Sequence, residues 1–245
     1  KGAVIYYNRR AHYIKRNHKT LVPRAMCWVD TEAMNEEGKP ENGKQELYFG
    51  CAIYERYSQK DRSHCEHSER LRFTTAAEFW DWIDSKAIKG RSLTIFAHNW
   101  NYDAAILNTS NLLPKLGWEI KKYVNEKPPV IVSWSKNNAT ITMLDTLNFF
   151  HNSLAELGDS IGIPKLELPS GEASIEEWDI YTWRDVEIIR AAVLSLMRFI
   201  EDNDLGNFQV TAASQAYAAY RHKYMTHTML VHNNKLALEL ERSGY

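Results

Sequence analysis

The stretch "RAMCWVDTEA", residues 24–33, carries an apolar run from Cys27 to Val29 that leads directly into two acids, Asp30 and Glu32. An apolar run of this length predicts a short buried strand. Side chains two apart on a strand point to the same face, so the two carboxylates should lie side by side. Like charges at that spacing repel each other, and a divalent cation between them relieves the repulsion. A strand that simply ends in a solvated loop explains the same pattern.

Strand and helix patterns alternate along the rest of the chain. Runs rich in aromatic and β-branched residues predict strands, and apolar stripes at helical spacing predict helices. Strands that include a hairpin, interleaved with and followed by helices, predict an α/β domain around a mixed sheet. The predicted strands are 24–33, 46–57, one ending near 73, 92–99, 130–135 and 139–147, and the predicted helices are 74–87, 103–113, 174–203 and 211–224.

Local signals mark the ends of these elements. A Ser or Thr followed three residues later by Glu predicts a capping box at a helix start, and Pro interrupts a helix. Adjacent Asn residues between two strand patterns predict a tight hairpin turn. The signals are capping boxes at Thr75 with Glu78 and at Ser174 with Glu177, a helix end at Pro114, a loop at 34–45 and a turn at Asn137 and Asn138.

The composition is typical of a soluble globular protein, with 44% hydrophobic and 25% charged residues. No apolar run approaches the roughly 20 residues that a membrane span needs, so we expect no membrane partner. The three cysteines, Cys27, Cys51 and Cys65, are odd in number and scattered. This argues against a disulfide framework and favours an intracellular, reducing compartment, such as a bacterial or viral cytoplasm or a mitochondrion.

Charge is distributed unevenly along the chain. The first 29 residues hold seven of the 30 lysines and arginines and none of the 31 acids. A basic arm, residues 1–24, on an acidic body suits a polyanionic partner. A solvated or disordered tail explains the arm equally well.

Two further motifs place acids at helical positions. In "FAHNWNYDAAIL" (96–107) an apolar strand ends, and Asn99 and Asp103 follow at the start of a helix. Asp103 is also explained as a plain helix cap, since the helix dipole favours an acid there. In "YTWRDVEII" (181–189) a helix places Tyr181 directly over Asp185.

Each motif alone is weak, and a packed tyrosine beside a solvated acid is the ordinary explanation of the last one. Together the motifs supply one tyrosine and four carboxylates, which suit two hard divalent cations because these prefer oxygen ligands. The residues are Asp30, Glu32, Asp103, Tyr181 and Asp185.

The order of these motifs resembles that of the DEDDy branch of the DnaQ-like 3′–5′ exonucleases. The sequence has Asp-x-Glu, then Asn-x-x-x-Asp preceded by His98, then Tyr-x-x-x-Asp. The histidine branch of that superfamily has His five residues before the last Asp, where this chain has Ile180. Residues 24–203 look most like the proofreading domain of family B DNA polymerases of the protein-primed, organellar and viral type.

The resemblance implies an RNase H-like (DnaQ-like) α/β fold, with a mixed central β-sheet flanked by α-helices. It implies three regions: the basic arm 1–24, an exonuclease domain 25–205, and a helical segment 206–245. "TAASQAYAAYRHKYM" (211–225) and the closing "LELERSGY" look like the approach to a polymerase module. In a longer protein, such a C-terminal module is the expected partner.

The resemblance also implies two-metal hydrolysis of a terminal phosphodiester of single-stranded DNA, with Mg²⁺ or Mn²⁺. Asp30 would bridge both ions, and Glu32 and Asp185 would complete the first, which activates a water. Asp103 would serve the second ion, which stabilises the leaving 3′ oxyanion. Tyr181 would orient the attacking water beside Glu32.

The resemblance further implies residues that hold the single-stranded 3′ end. "DTLNFF" (145–150) is similar to a DNA-binding element of the family. Departures are Ala33, where the family often has Thr, and a basic residue upstream of the third motif, for which Lys165 is the nearest candidate. The residues expected to bind nucleic acid are Asn99, Tyr102, Thr146 and Leu147.

Two other functions remain open from the sequence. One is a stand-alone DnaQ-like exonuclease that acts on RNA or DNA without a polymerase. The other is a catalytically inactive nucleic-acid-binding module, against which the presence of all four acids and the tyrosine argues.

Overall fold

The structure is a computed structural model that describes residues 10–35, 45–126, 128–170 and 172–243. Most of the predicted loop at 34–45 lies outside the described residues. In chain order the elements are β1 (His12–Ile14), β2 (Ala25–Asn35), β3 (Gln45–Tyr57), β4 (Cys65–Phe73), α1 (Ala76–Lys86), β5 (Ser92–Ala97), α2 (Trp100–Ile106), α3 (Thr109–Lys115), β6 (Glu119–Asn125), β7 (Val130–Lys136), β8 (Ala139–Asp145), α4 (Leu154–Ser160), α5 (Ile175–Asp202), α6 (Ala212–Ala219), β9 (Met229–Val231) and α7 (Lys235–Ser243).

A seven-stranded sheet organises the fold, in the order β4-β3-β2-β5-β8-β7-β6. β5 runs parallel to both of its neighbours, β2 and β8, and the remaining pairs are antiparallel. The predicted α/β fold with a mixed central sheet is therefore confirmed. Because the two parallel pairs are central, the carboxyl ends of β2, β5 and β8 meet at one edge of the sheet.

Successive side chains of β2 point to opposite faces of the sheet and pack against different layers of helices. Trp28 packs in one core with Val186 and Ile189 of α5, whereas Val29 packs in another core with Phe79 of α1. Each buried side chain of this size contributes about 1.5–3 kcal/mol. By the same period of two, Asp30 and Glu32 should face the α5 layer and Thr31 should face the layer of α1 and α2.

An ion pair beneath α5 fixes the rotation of this long helix. Arg190 donates from Nε and Nη2 to the buried carboxylate of Glu55, each at 3.0 Å. The Tyr57 hydroxyl donates to the same carboxylate at 2.5 Å. Breaking a buried pair costs several kcal/mol, so this contact fixes the rotation of α5 about its axis. The N-terminal half of α5 is thereby held over the end of β2.

Helix α5 also matches its predicted start. Ser174 and Glu177 form the predicted capping box, with both reciprocal hydrogen bonds present. The predicted box at α1 forms only in part. Thr75 accepts from the Glu78 N–H, but the Glu78 carboxylate accepts from the Thr74 N–H instead of the Thr75 N–H.

The predicted single helix at 103–113 is wrong. The segment forms α2 and α3, which are separated at Asn108, a residue with left-handed backbone (φ 46°) that a continuous helix does not permit. Pro114 lies inside α3 and does not end it. The predicted strand 139–147 is too long, because β8 ends at Asp145 and residues 146–148 form a 3₁₀ turn.

The described part of the basic arm is attached to the C-terminal segment. β1 pairs with β9 in a separate two-stranded sheet. Arg16 donates to the His222 carbonyl at 3.0 Å, and the Leu21 N–H donates to the Asn207 side chain at 2.8 Å. The sequence did not predict these contacts, and the boundaries proposed at 24/25 and 205/206 remain predictions.

Among the helices in the described ranges, we find none with the length and apolar character that a membrane crossing requires.

Candidate active site

The first two motifs meet because their strands are parallel neighbours. Trp28 of β2 pairs in register with Phe96 of β5. Asp30 comes shortly after Trp28 on β2, and α2 begins shortly after Phe96, so Asp30 and the start of α2 lie at the same end of the sheet. Both Asp30 and Glu32 are half-buried. Thr182 of α5 donates its hydroxyl to Glu32 at 3.1 Å, which confirms that Glu32 faces the α5 layer.

Asp103 reaches the same end of the sheet from the opposite layer. It lies in the first turn of α2 with only 1% of its surface exposed. Thr31, between the two acids of β2, donates its hydroxyl to Asp103 at 2.8 Å. The sequence reasoning missed Thr31, although its position on the face opposite Asp30 was the available signal.

Asp145 sets the direction in which α2 leaves β5. Its carboxylate accepts from the N–H groups of Asn99 and Trp100 at 3.0 and 2.9 Å, and from that of Leu147 at 2.9 Å. Asn99 itself has left-handed backbone, with φ 66°. Asp145 was not predicted as a site residue, and it acts here by orienting the segment that carries Asp103.

The third motif brings a tyrosine, an acid and a lysine together. Tyr181 and Asp185 lie one turn apart on α5, and both are buried, at 7% and 3% exposure. Lys165, from the segment before α5, forms an ion pair with Asp185 Oδ2. Its ammonium also lies 4.3 Å from the centre of the Tyr181 ring. The predicted upstream basic residue is thus in direct contact with both.

Burial raises the pKa values of all four acids, and the charges of neighbouring acids raise those of Asp30 and Glu32 further. Burial raises the pKa of Asp30 well above its usual range, and the charges of Asp103, Asp185 and Glu32 raise it further. Burial raises the pKa of Glu32 to about 7, against the hydrogen bond from Thr182. Burial likewise raises the pKa of Asp103 to about 8, and that of Asp185 despite its ion pair. Asp30 thus lies within range of the charges of the other three acids.

The oxygen ligands of the four acids suit divalent cations, although the side chains are not arranged around an ion. Within the described ranges, no three His, Cys, Asp or Glu side chains are arranged so that they could hold an ion as they stand. Lys165 is the cation at the cluster. However, Asp185 Oδ1 is buried and has no hydrogen-bond partner among the residues that the structure describes. An unsatisfied buried carboxylate oxygen beside three other raised-pKa acids fits a hard cation, which supplies the missing partner.

The residues expected to hold nucleic acid differ in exposure. Asn99 is exposed, Leu147 is half-buried, and Tyr102 is 36% exposed. Burial raises the pKa of Tyr102, and the charges of Glu32, Asp103 and Asp30 raise it further, so its phenol lies within range of these acids. Thr146 is fully buried and its hydroxyl is 2.8 Å from His98 Nδ1. Thr146 therefore supports the His98 ring as it stands.

Replacement of Glu32 by Gln should stabilise the metal-free protein at pH 8 more than at pH 5. A carboxyl whose folded pKa is raised costs no stability below its unfolded pKa, near 4.5, and costs most above its folded pKa, about 7. The difference in unfolding free energy between variant and wild type should therefore grow across that window, by about 1–3 kcal/mol after allowance for partial exposure.

Chemical denaturation in EDTA at several pH values measures this difference. Glu119→Gln, an exposed acid on β6, controls for the loss of one negative charge. A difference for Glu32→Gln that does not change between pH 5 and pH 8 would contradict a buried, charge-crowded carboxylate at this position.

Comparison with solved structures finds this fold within larger chains. Phi29 DNA polymerase complexed with single-stranded DNA matches with a TM-score of 0.51 and 16% identity, over 79% of this chain and 34% of that chain. The orthorhombic form of phi29 DNA polymerase gives 0.49 and 19%, over 79% and 33%. The family B DNA polymerase from the hyperthermophilic archaeon Pyrobaculum calidifontis gives 0.42 and 16%, over 74% and 25%.

This chain therefore spans about a third of the length of the phi29 chains that it matches. No family model matches it, and no curated protein matches it. At 16% identity the likeness establishes the fold alone. The mixed seven-stranded sheet flanked by helices is a fold that this chain shares with part of phi29 DNA polymerase.

Proposed function

We propose that this chain is a metal-dependent 3′–5′ exonuclease that removes terminal nucleotides from single-stranded DNA. The observation that carries the proposal is the gathering of four acids from β2, α2 and α5 at one edge of the sheet, with a tyrosine and a lysine among them. The raised pKa values of all four acids support a site built for cations.

The residues that would hold two divalent cations are Asp30, Glu32, Asp103 and Asp185. When bound, such ions supply an activated water and stabilise the oxyanion that leaves from the cleaved phosphodiester. The buried oxygen Oδ1 of Asp185, which lacks a partner, supports this assignment.

The chain's own residues orient the reactants. Thr31 and Thr182 hold the carboxylates of Asp103 and Glu32 in fixed directions through hydroxyl hydrogen bonds of 2.8 and 3.1 Å. The Tyr181 hydroxyl would position the attacking water beside Glu32. Burial raises the pKa of Tyr181, so the phenol stays protonated near neutral pH and can donate.

Lys165 would offset negative charge at the site. Its ammonium is paired with Asp185, and its charge lowers the pKa of Asp30. A strand entering the site brings more negative charge, which a fixed lysine attracts. Asn99 and Tyr102, at the exposed rim, would hold the 3′-terminal nucleotides. A base stacked on Tyr102 would contribute about 1–3 kcal/mol.

The substrate class rests on the resemblance of the motifs and on the fold. The phi29 polymerase with the same fold is complexed with single-stranded DNA. We extend that substrate to this chain as part of the proposal, together with a place in a larger DNA polymerase. A stand-alone exonuclease acting on RNA or DNA is the second candidate, because all the proposed catalytic residues lie within this chain.

Incubation of a 5′-labelled single strand with the protein and Mg²⁺ or Mn²⁺ tests the proposal. We expect a ladder of products that shorten by one nucleotide from the 3′ end, and no product in EDTA. An RNA strand of the same sequence distinguishes the second candidate, which predicts comparable cleavage of both. Intact DNA with either ion would overturn the exonuclease assignment.

A further inference from the structure

A second charged surface lies at the end of the sheet opposite the candidate active site. We call it the basic groove and define it by Arg24, Arg56, Lys60 and Arg91. It forms where β2 and β5 begin as parallel neighbours. Asp30 lies six positions after Arg24, which precedes β2, and six positions correspond to about 20 Å along a strand. The groove is therefore separate from the proposed site of cleavage.

The groove consists of two concavities in series. One has a volume of about 430 Å³ and the other of about 810 Å³, and both are walled by Arg24, Arg56, Ile88 and Arg91. Leu21 and Ile88 contribute apolar surface to it, with exposed fractions of 65% and 38%. The two concavities are therefore neighbours that share part of their lining, and together they offer more room than a single phosphate requires.

Positive charge in the groove exceeds its negative charge. Glu66 is the acid that faces the arginines, with its Oε2 3.8 Å from Arg24 Nη2 and 3.5 Å from Arg56 Nε. Neither Arg91 nor Lys60 takes part in an ion pair within the described residues, and both are exposed. One carboxylate thus contacts two of the four cations, and an anionic ligand would balance the remaining positive charge.

Two of the arginines are held in place by neighbouring groups. Arg24 donates from Nε to the Tyr57 carbonyl at 2.9 Å, which fixes the plane of its guanidinium. Arg56 Nε is buried, and its contact with Glu66 Oε2 is long, at 3.5 Å, and lacks hydrogen-bond geometry. A shorter hydrogen bond to an oxygen of a ligand in the groove would satisfy this donor better.

We propose that the basic groove binds the phosphodiester backbone of a nucleic acid, as a second contact remote from the cleavage site. Guanidinium groups match phosphate oxygens in a two-pronged geometry, and the apolar wall accommodates sugars or bases. Two concavities in series suit consecutive phosphates better than a free nucleotide. The proposal requires a nucleic-acid partner but no cleavage, so it goes beyond the proposed function.

Binding of a labelled 20-nucleotide single strand, measured by fluorescence anisotropy in EDTA over a series of salt concentrations, tests the proposal. Arg56→Gln combined with Arg91→Gln should weaken binding roughly 10- to 25-fold at 0.1 M salt. It should also reduce the slope of the logarithm of the binding constant against the logarithm of the salt concentration by about 1.4. This is about 0.7 for each lost phosphate contact on a single strand. Arg91→Gln alone, at an exposed side chain without an ion pair, should give about half of that change in slope.

Lys121→Gln with Lys122→Gln, on the exposed edge strand β6, is the matched control for the loss of two positive charges. It should keep the wild-type affinity and slope. The proposal is overturned if the groove variants bind as wild type does, if the control loses as much, or if the wild type does not bind the strand.

Competition with a mononucleotide and with inorganic phosphate separates the possible sources of the phosphate. Neither should displace the strand at concentrations that match its phosphate content. If either does, the groove is a site for a small anion and the nucleic-acid proposal fails. Because EDTA prevents metal-dependent cleavage, a failure of the exonuclease assignment leaves this test unaffected.

Discussion

Replacing Asp30 and Glu32 together by Ala should abolish cleavage of a 5′-labelled strand, with a loss on the order of 10⁴-fold or more. Both carboxylates belong to the cluster of acids, and the charges of other members raise the pKa values of both. Their removal takes away two of the four groups proposed to hold cations, and with them the activation of water. Single-turnover cleavage with excess enzyme measures the loss independently of turnover.

The same variant should remain folded. In the metal-free protein the two carboxylates are crowded by Asp103 and Asp185, so their loss relieves repulsion. A thermal melt in EDTA at pH 8 should therefore show a midpoint at least as high as that of the wild type.

A double variant elsewhere separates the site from a general charge effect. Glu119→Ala with Glu126→Ala removes two exposed acids and should cleave as the wild type does. A large loss of stability for Asp30→Ala with Glu32→Ala would assign the pair a structural role. Near wild-type cleavage by that variant would remove the proposed function altogether.

The central elements could be predicted because their patterns are long and local. β2, β3 and β5 each contain a stretch dominated by apolar and aromatic residues, and α5 has both a capping box and an apolar stripe. Burial on both faces of the middle strands enforces such runs, since a polar residue there would lack a partner.

Helix α4 was missed although Ser153 and Glu156 form a capping box at its start. Other missed elements lack a local pattern of this kind. β6, "EIKKYVN", is an exposed edge strand, so neither of its faces requires apolar residues. The pairing of β1 with β9 joins residues more than two hundred positions apart, which no local signal shows. Asn108 breaks one predicted helix into two through its left-handed backbone, a conformation that Asn adopts only in some contexts.

In the candidate site, too, some contacts could be predicted from the sequence and others could not. Asp30 with Glu32 and Tyr181 with Asp185 could be paired from strand and helix spacing alone. The threonine contacts could not, because they join different elements: Thr31 reaches Asp103 on α2, and Thr182 reaches Glu32 on β2. Lys165, which contacts Asp185 from 20 positions away, was a candidate through the resemblance and not through spacing. Hydrogen bonds between elements depend on how layers pack, which spacing does not report.

Tyr181 is the residue for which packing and chemistry are hardest to separate. Its ring is buried between Trp178, with ring centres 6.0 Å apart, and the ammonium of Lys165, 4.3 Å from the ring centre. Those contacts would hold a phenylalanine equally well. Only the hydroxyl distinguishes a positioning role in the reaction from a packing role in the core.

Tyr181→Phe should therefore fold, melt and bind metal and single-stranded DNA as the wild type does, yet cleave more slowly. We expect a fall of roughly 10²–10³-fold, the cost of losing one preorganised hydrogen-bond donor from an active site. The residual rate should exceed that of Asp185→Ala, which lacks a proposed metal ligand. Tyr123→Phe, an exposed tyrosine on β6, should cleave at the wild-type rate. If Tyr181→Phe cleaves as fast as the wild type, the ring serves the core and water must be oriented by another group.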